Sequence, residues 1–127
     1  MKILFACVEN SCRSQIAEAF AKIHSPEDYQ VYSAGSKPTG VINSTAIGLL
    51  ADIGYDLGSH TCNSLDDYSG LKFDNLVLMG CGEECPHLNV DNKIEWDIPD
   101  PKNMNRKDFK EVVLLIETEV LNLIDSF

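Results

Sequence analysis

Long apolar runs are missing from this chain of 127 residues, and none approaches the length that crosses a bilayer. The first residues lack a basic stretch followed by an apolar segment and a small-residue cleavage site. On both counts a cytoplasmic protein is expected. Cations are scarce: ten Lys and Arg against twenty Asp and Glu give a formal net charge of −10. Such a surface argues against nucleic acid and against an anionic membrane as partners. No repeat, linker or low-complexity segment interrupts the chain. Residues 1–127 are therefore expected to form one domain with a core that needs no staples, and to be monomeric. Five cysteines, an odd number, without a secretion signal point to redox chemistry or metal binding rather than to a disulfide framework.

The opening is the strongest positive signal. Met1 to Ala6 is an apolar run that ends at Cys7. The segment Val8-Glu9-Asn10-Ser11-Cys12 follows, then Arg13 and Ser14, then the helix-compatible run Gln15 to Lys22. This order reads as strand, tight loop, helix. A loop of this size that opens a helix turns successive backbone N–H groups inward, and the helix N-terminus adds positive potential. Arg13 adds a planar fork for a tetrahedral oxyanion. Cys7, at the base of the loop, is then a thiolate stabilised by the same field. C-x5-R is common by chance, but between a strand and an amphipathic helix it is specific. The bland alternative, a buried strand-end cysteine and a surface arginine, leaves that placement unexplained. Because the acidic surface repels anions at long range, such a site must work through local donors, which suits a small inorganic anion.

Hydrophobic periodicity predicts strands at Lys2–Ala6, Tyr29–Ser33, Phe73–Met79 and Lys93–Trp96. It predicts helices from Ser11 or Ser14 to about Ile23, from Asn43 to Ile53 with Gly54 as terminator, and from Asp108 to about Ile124. The apolar faces carry Ile16, Phe20 and Ile23 in the first helix, Ala46, Leu50 and Ile53 in the second, and Val112, Leu115, Ile116, Val120 and Ile124 in the last. Ser64–Tyr68 reads as a short helix or turn, and Gly35–Gly40 as a loop. Strands alternating with helices predict an α/β three-layer sandwich, a central parallel sheet of about four strands flanked by helices. Ligands in such folds bind at the carboxyl ends of the strands. Cys7, Cys81 and the Asp97/Asp100 loop each follow a predicted strand, so they can converge there.

Cys81 and Cys85 lie four apart in Met79-Gly80-Cys81-Gly82-Glu83-Glu84-Cys85-Pro86. If that segment is helical, both sulfurs share a face, and the glycines make rearrangement to a disulfide cheap. A structural metal site and a pair of inert thiols are the alternatives. Zinc needs about four ligands, and Cys12, His60, Cys62 and His87 offer no second paired spacing. Cys12 and Cys62 read as packing residues and His60 as a hydrogen-bonded scaffold residue. In Trp96-Asp97-Ile98-Pro99-Asp100-Pro101 the prolines stiffen the loop and can hold a carboxyl in a fixed place. Asp100 is the candidate general acid and Asp97 the second choice.

Taken together, Cys7 to Ser14 with the following helix, Tyr32-Ser33-Ala34-Gly35, Met79-Gly80-Cys81 with Cys85-Pro86, and Asp100-Pro101 resemble the thioredoxin-linked arsenate reductases. These share the fold of low-molecular-weight protein tyrosine phosphatases. The resemblance spans nearly the whole chain. It implies Cys7 as nucleophile, with Arg13 and the loop amides of Val8, Glu9, Asn10, Ser11, Cys12, Arg13 and Ser14 binding the oxyanion. It further implies Ser14 on the Cys7 thiolate, Asp100 as acid, and Cys81 then Cys85 as successive attacking thiols. Asn10 and Ser33 match loop-bracing residues. The substrate implied is arsenate, and the reductant thioredoxin or a similar dithiol; no organic cofactor or resident metal is called for. In some members, residues matching Asn10, Glu18 and Ser33 hold a potassium ion with an aspartate where this chain has Asn63. Two departures stand out. Glu9 replaces a small residue and is expected to face outward, and Lys102 stands where the tyrosine phosphatases carry an aromatic. The rival functions are a phosphatase acting on phosphotyrosine or another phosphomonoester, and a metal or anion sensor.

Overall fold

The computed structural model describes residues 1–80 and 88–127; the predicted thiol pair Cys81/Cys85 and His87 lie outside the described residues. Four strands form one sheet: β1 (Lys2–Cys7), β2 (Gln30–Gly35), β3 (Lys72–Leu78) and β4 (Asn89–Glu95). All pairings are parallel and the order is β2-β1-β3-β4. Among the described residues three helices accompany them: α1 (Arg13–His24), α2 (Ser44–Ala51) and α3 (Arg106–Asp125). Short 3₁₀ turns occupy Leu57–Ser59 and Leu65–Tyr68. Among the described residues no helix is long and apolar enough to cross a membrane.

The sheet is buried on both faces, as the continuous apolar strands β1 and β3 require. Alternate residues of β1 serve opposite cores. Ile3, Phe5 and Cys7 face α1, α2 and α3, where they meet Ile16, Phe20, Leu50, Phe109, Ile116 and Val120. Leu4 and Ala6 face Leu65, Phe73, Leu76 and Leu78 on the other side. Tyr32, Tyr68 and Phe73 close that second layer edge to face. The layers are unequal: the described helices gather on one face, and the Leu65–Tyr68 turn covers part of the other.

Several boundaries differ from those read in the sequence. β4 begins at Asn89, not Lys93. It is an edge strand with most side chains partly or fully exposed, so backbone pairing to β3, from Lys72↔Asn89 to Leu78↔Glu95, defines it rather than hydropathy. α2 stops at Ala51 and Ile53 is exposed in the turn that follows. Ile23 is exposed too, in the last turn of α1, beyond the buried stretch from Arg13 to Ala21. α3 starts at Arg106 because the Asn105 side chain accepts from the Asp108 N–H. Leu115 is exposed: at 100° per residue it lies roughly 110° from the middle of the buried stripe through Phe109, Val112, Ile116 and Val120.

The topology fixes where a site can be. β1 leads through α1 to β2 on one side, and its other neighbour is β3, so the order reverses beside β1. Ligands bind at such a reversal, beyond the carboxyl ends of the strands. Cys7 is the last residue of β1, level with Gly35 at the end of β2.

Candidate active site

The anion loop runs from Cys7 to the first turn of α1 and is built by outward-facing carbonyls. Ser36, Lys37 and Thr39 donate their N–H groups to Cys7, Val8 and Glu9 O at 3.3, 2.8 and 3.1 Å. Asn43 N–H donates to Ser11 O at 3.0 Å. Asn10 O accepts from Gln15 Nε2 at 3.1 Å and from the Cys62 thiol at 3.3 Å. No peptide among the described residues is cis. In a trans peptide the C=O and the next N–H point in opposite directions. With the carbonyls of residues 7–11 committed outward, the N–H groups of Val8, Glu9, Asn10, Ser11 and Cys12 turn into the loop. That produces a nest of donors at a helix N-terminus.

Two residues make the tight backbone feasible. Asn10 takes φ +52°, a left-handed conformation in which Asn is among the tolerated residue types. Gly35 passes so close behind the loop that a Cβ there would lie 2.5 Å from Val8 O. On the pocket side, Gly80 makes room for arginine: a Cβ there would lie 2.5 Å from Arg13 Nη1.

The hydrogen-bond directions follow from one fixed donor. Asn63 N–H can only donate, and it donates to Asn10 Oδ1 at 2.7 Å. Asn10 Nδ2 therefore donates to Ser14 Oγ at 2.7 Å. Ser14 Oγ accepts there, which leaves its own hydrogen for Cys7 Sγ at 2.9 Å. All three side chains are buried. Behind them, Gln15 Nε2 also reaches Asn10 Oδ1 and Thr61 O, at 3.0 and 2.9 Å. Gln15 Oε1 then accepts from His60 Nδ1 at 2.9 Å, so His60 Nε2 accepts from Tyr55 OH at 2.5 Å. This is the neutral Nδ1–H tautomer. Burial lowers the His60 pKa from its ordinary value and outweighs the opposing pull of Glu18.

Arg13 is nearly buried, donates from Nη1 to Ile98 O at 3.2 Å, and holds Nη2 3.8 Å from Asp100 Oδ2. Cys7, Glu9, Ser11, Cys12, Arg13 and Asp100 line one small pocket. Asp100, half-exposed, thus reaches the nucleophile's pocket, whereas Asp97 lines a different groove with Leu78, Glu95 and Trp96. The two larger grooves beside α3 contain no cysteine and no donor nest.

Cys12 departs from a pure packing role. It is buried against the core as expected, but it also lines the pocket. Burial, with Asp100 and Cys7 nearby, pushes its thiol up to about 12, so it is neutral at physiological pH. Glu9 departs as well. Its carboxylate lies at the pocket rim instead of in open solvent, paired with Lys102 Nζ at 2.9 Å. The Glu9 hydrogen bond and charge raise the Lys102 pKa.

Asn10, Glu18, Ser33 and Asn63 do come together. Ser33 Oγ donates to Glu18 Oε1 at 2.5 Å, and Asn63 Nδ2 to Ser33 O at 3.3 Å. On Asn10 and Glu18 the side-chain oxygens already hold partners, however. Asn10 Oδ1 accepts two N–H groups, and Glu18 Oε2 holds the Lys22 ammonium at 2.5 Å. A hard monovalent cation needs free oxygen ligands. To hold a potassium ion, Asn10 Oδ1 and Glu18 Oε2 would have to exchange these partners for the cation; the described residues contain no group of three or more His, Cys, Asp or Glu able to hold a metal.

Reading the sequence alone missed Gln15, Tyr55, the Ile98 carbonyl and the 36–43 segment. A glutamine next to an apolar helical stripe carried no signal for a buried hub. Carbonyl partners leave no trace in residue type.

A family model described as low molecular weight phosphotyrosine protein phosphatase matches residues 2–127. An arsenate reductase of Staphylococcus aureus (strain Newman) is 39% identical over 114 residues, covering 87% of this chain and 86% of that one. A glutaredoxin arsenate reductase of Synechocystis is 32% identical over 126 residues, covering 97% and 95%. A solved arsenate reductase in an oxidized state superposes with a TM-score of 0.88 at 28% identity, covering 98% of this chain and 97% of that one.

Proposed function

Because the chain belongs to the low molecular weight phosphotyrosine protein phosphatase family, we propose that its anion pocket serves as the active site of an arsenate reductase. The observation that carries this reading is a conjunction. A buried Cys7–Ser14 pair sits under an inward N–H nest, in a chain that also carries the Cys81/Cys85 thiols and matches arsenate reductases along most of its length. The pocket alone suits either phosphate or arsenate. The extra dithiol gives electrons somewhere to come from.

Arsenate binds with its oxygens on the N–H groups of Val8 to Ser14 and on the Arg13 fork. The hydrogen bond from Ser14 favours the anionic sulfur of Cys7. Cys7 attacks arsenic, the As–O bond breaks, and Asp100 gives its proton to the departing hydroxide, which leaves as water. A Cys81 thiolate then attacks the Cys7 sulfur. The S–S bond forms as the S–As bond breaks, and its electron pair reduces As(V) to arsenite. Cys85 attacks Cys81, freeing Cys7 and leaving a Cys81–Cys85 disulfide. A small external dithiol protein, thioredoxin or one like it, returns two electrons. Sulfur supplies all electrons, so no flavin, nicotinamide or resident metal takes part. We place the reaction in the cytoplasm, where thiols are kept reduced. Gly80, close to the Arg13 guanidinium, is the last described residue before the thiol pair.

The loop and Asp100 suffice for slow hydrolysis of a phosphomonoester, so a weak phosphatase activity is expected alongside. The test is product analysis with arsenate and a thioredoxin system, run beside 4-nitrophenyl phosphate without reductant. Arsenite should form in multiple turnovers only with the dithiol present. Without it, one turnover should end in a Cys81–Cys85 disulfide detectable by peptide mapping, and Cys85→Ser should stop at Cys7–Cys81. Steady ester turnover with no arsenite would make the protein a phosphatase. Replacing thioredoxin by a glutaredoxin system identifies the class of reductant.

A further inference from the structure

The Glu9 and Lys102 side chains play no part in the chemistry above, yet they meet beside the pocket. Glu9 lies two residues past the nucleophile and lines the pocket with Cys7, Arg13 and Asp100. Lys102 lies two residues past Asp100. Its Nζ reaches Glu9 Oε2 at 2.9 Å, and its backbone N–H donates to Asp100 Oδ1 at 3.1 Å. The pair therefore joins the anion loop to the acid loop at the carboxyl group that faces the leaving oxygen.

We propose that the Glu9–Lys102 ion pair is a specificity-determining latch that admits a free inorganic oxyanion and hinders one esterified to a bulky group. This inference rests on the reading of Cys7 as nucleophile toward a bound oxyanion. Three oxygens of that anion face the N–H nest and Arg13, and the fourth, which leaves, faces Asp100. For arsenate the fourth oxygen carries nothing larger than hydrogen. For an ester it carries the organic group, which must leave the pocket beside Asp100, where the latch crosses. The pair also cancels charge. A lone Glu9 carboxylate at the rim of an anion site would oppose anion entry, and Lys102 neutralises it. Both side chains are partly exposed, Glu9 at 28% and Lys102 at 50%, so the effect is a modest bias rather than a barrier.

The experiment compares wild type with Glu9→Ala, Lys102→Ala and the double variant. Three readings are taken: kcat/KM for arsenate with the thioredoxin system, kcat/KM for 4-nitrophenyl phosphate, and inhibition of the latter by inorganic phosphate. Releasing the latch should raise the ester-to-arsenate ratio about threefold to fivefold in all three variants, the upper range an exposed contact can supply. Lys102→Ala alone should weaken phosphate inhibition by uncovering the Glu9 charge, and the double variant should restore it, as coupled neighbours do. A ratio within about twofold of wild type in the double variant overturns the proposal. Phosphate inhibition in the double variant as weak as in Lys102→Ala overturns it too. If the wild type reduces no arsenate at all, the functional reading fails on its own. The latch is then judged by the ratio of 4-nitrophenyl phosphate to acetyl phosphate hydrolysis, a large group against a small one, with the same outcomes deciding.

Discussion

Between Cys7 and Ser14 the carbonyls of residues 7–9 and 11 are taken by N–H groups of the 36–43 segment, and Asn10 is held at both ends of its amide. Across the same pocket, the stretch from Asp97 to Met104 is tied down differently. Arg13 holds Ile98 O, Lys102 holds Asp100 and Glu9, and Met104 N–H returns to Pro101 O. The prolines and the buried Ile98 and Pro101 do the rest. One wall is a hydrogen-bonded mould with buried polar groups. The other is a stiff covalent strut that leaves its carboxyl half-exposed. The difference follows from the tasks. Donors aimed at a charge act best when they need not reorganise. A general acid must collect a proton from solvent each turnover, so it stays wet.

The comparison can be broken most completely at the mould. Cys7→Ser should abolish arsenate reduction and phosphomonoester hydrolysis together, because both begin with the same sulfur. Phosphate should still bind, since the N–H nest is untouched. A substantial rate of either reaction in steady-state assays would remove Cys7 from the mechanism.

Asp100→Asn cuts the strut's chemistry without disturbing the mould. The chemical step should slow by about 10²–10⁴, typical of a lost general acid. Phosphate inhibition should hold or tighten, because a carboxylate 3.8 Å from Arg13 no longer competes with the anion. Asp97→Asn, facing another groove, should be nearly silent. The reverse pattern in single-turnover kinetics would move the acid to Asp97.

Gly35→Ala attacks the mould from behind. The new Cβ would meet backbone at 2.5 Å from Val8 O and 2.8 Å from Asn10 N, so the loop must shift. A stability loss of about 1–3 kcal/mol, typical of overpacking, is expected by urea denaturation. Anion affinity should fall with it. A stable variant with normal phosphate inhibition would show that the mould is looser than its bonds imply.

These contrasts also explain what could be read from sequence. The strand–loop–helix opening was legible because hydropathy and motif agreed there. The place of Asp100 at the pocket was legible because two prolines frame it. Gln15 was not, because its partners are the Asn10 and Thr61 carbonyls and the His60 ring, remote in sequence or blind to residue type. β4 was half-legible: its inner residues are Val90 and Ile94, and the exposed Asp91, Asn92 and Lys93 between them hide the alternation. Lys102 was noticed for the aromatic it replaces, while its pairing with Glu9 needed the two loops to be brought together.

The smallest expected effect lies at the back of the mould. His60 is 4% exposed, with its Nδ1–H on Gln15, Nε2 on Tyr55, and Glu18, Lys22 and Asp56 as the charges around it. Burial holds its folded pKa below the unfolded value near 6.5. The neutral ring therefore favours folding, and that contribution is fully present above the unfolded pKa. As pH falls through 6.5, the unfolded chain takes up a proton that the folded chain declines, so stability declines until the folded pKa is passed. His60→Gln removes the titration. Urea denaturation at several values between pH 8 and pH 5 should show wild-type stability falling more steeply than that of the variant. Parallel slopes would mean that His60 titrates alike in both states.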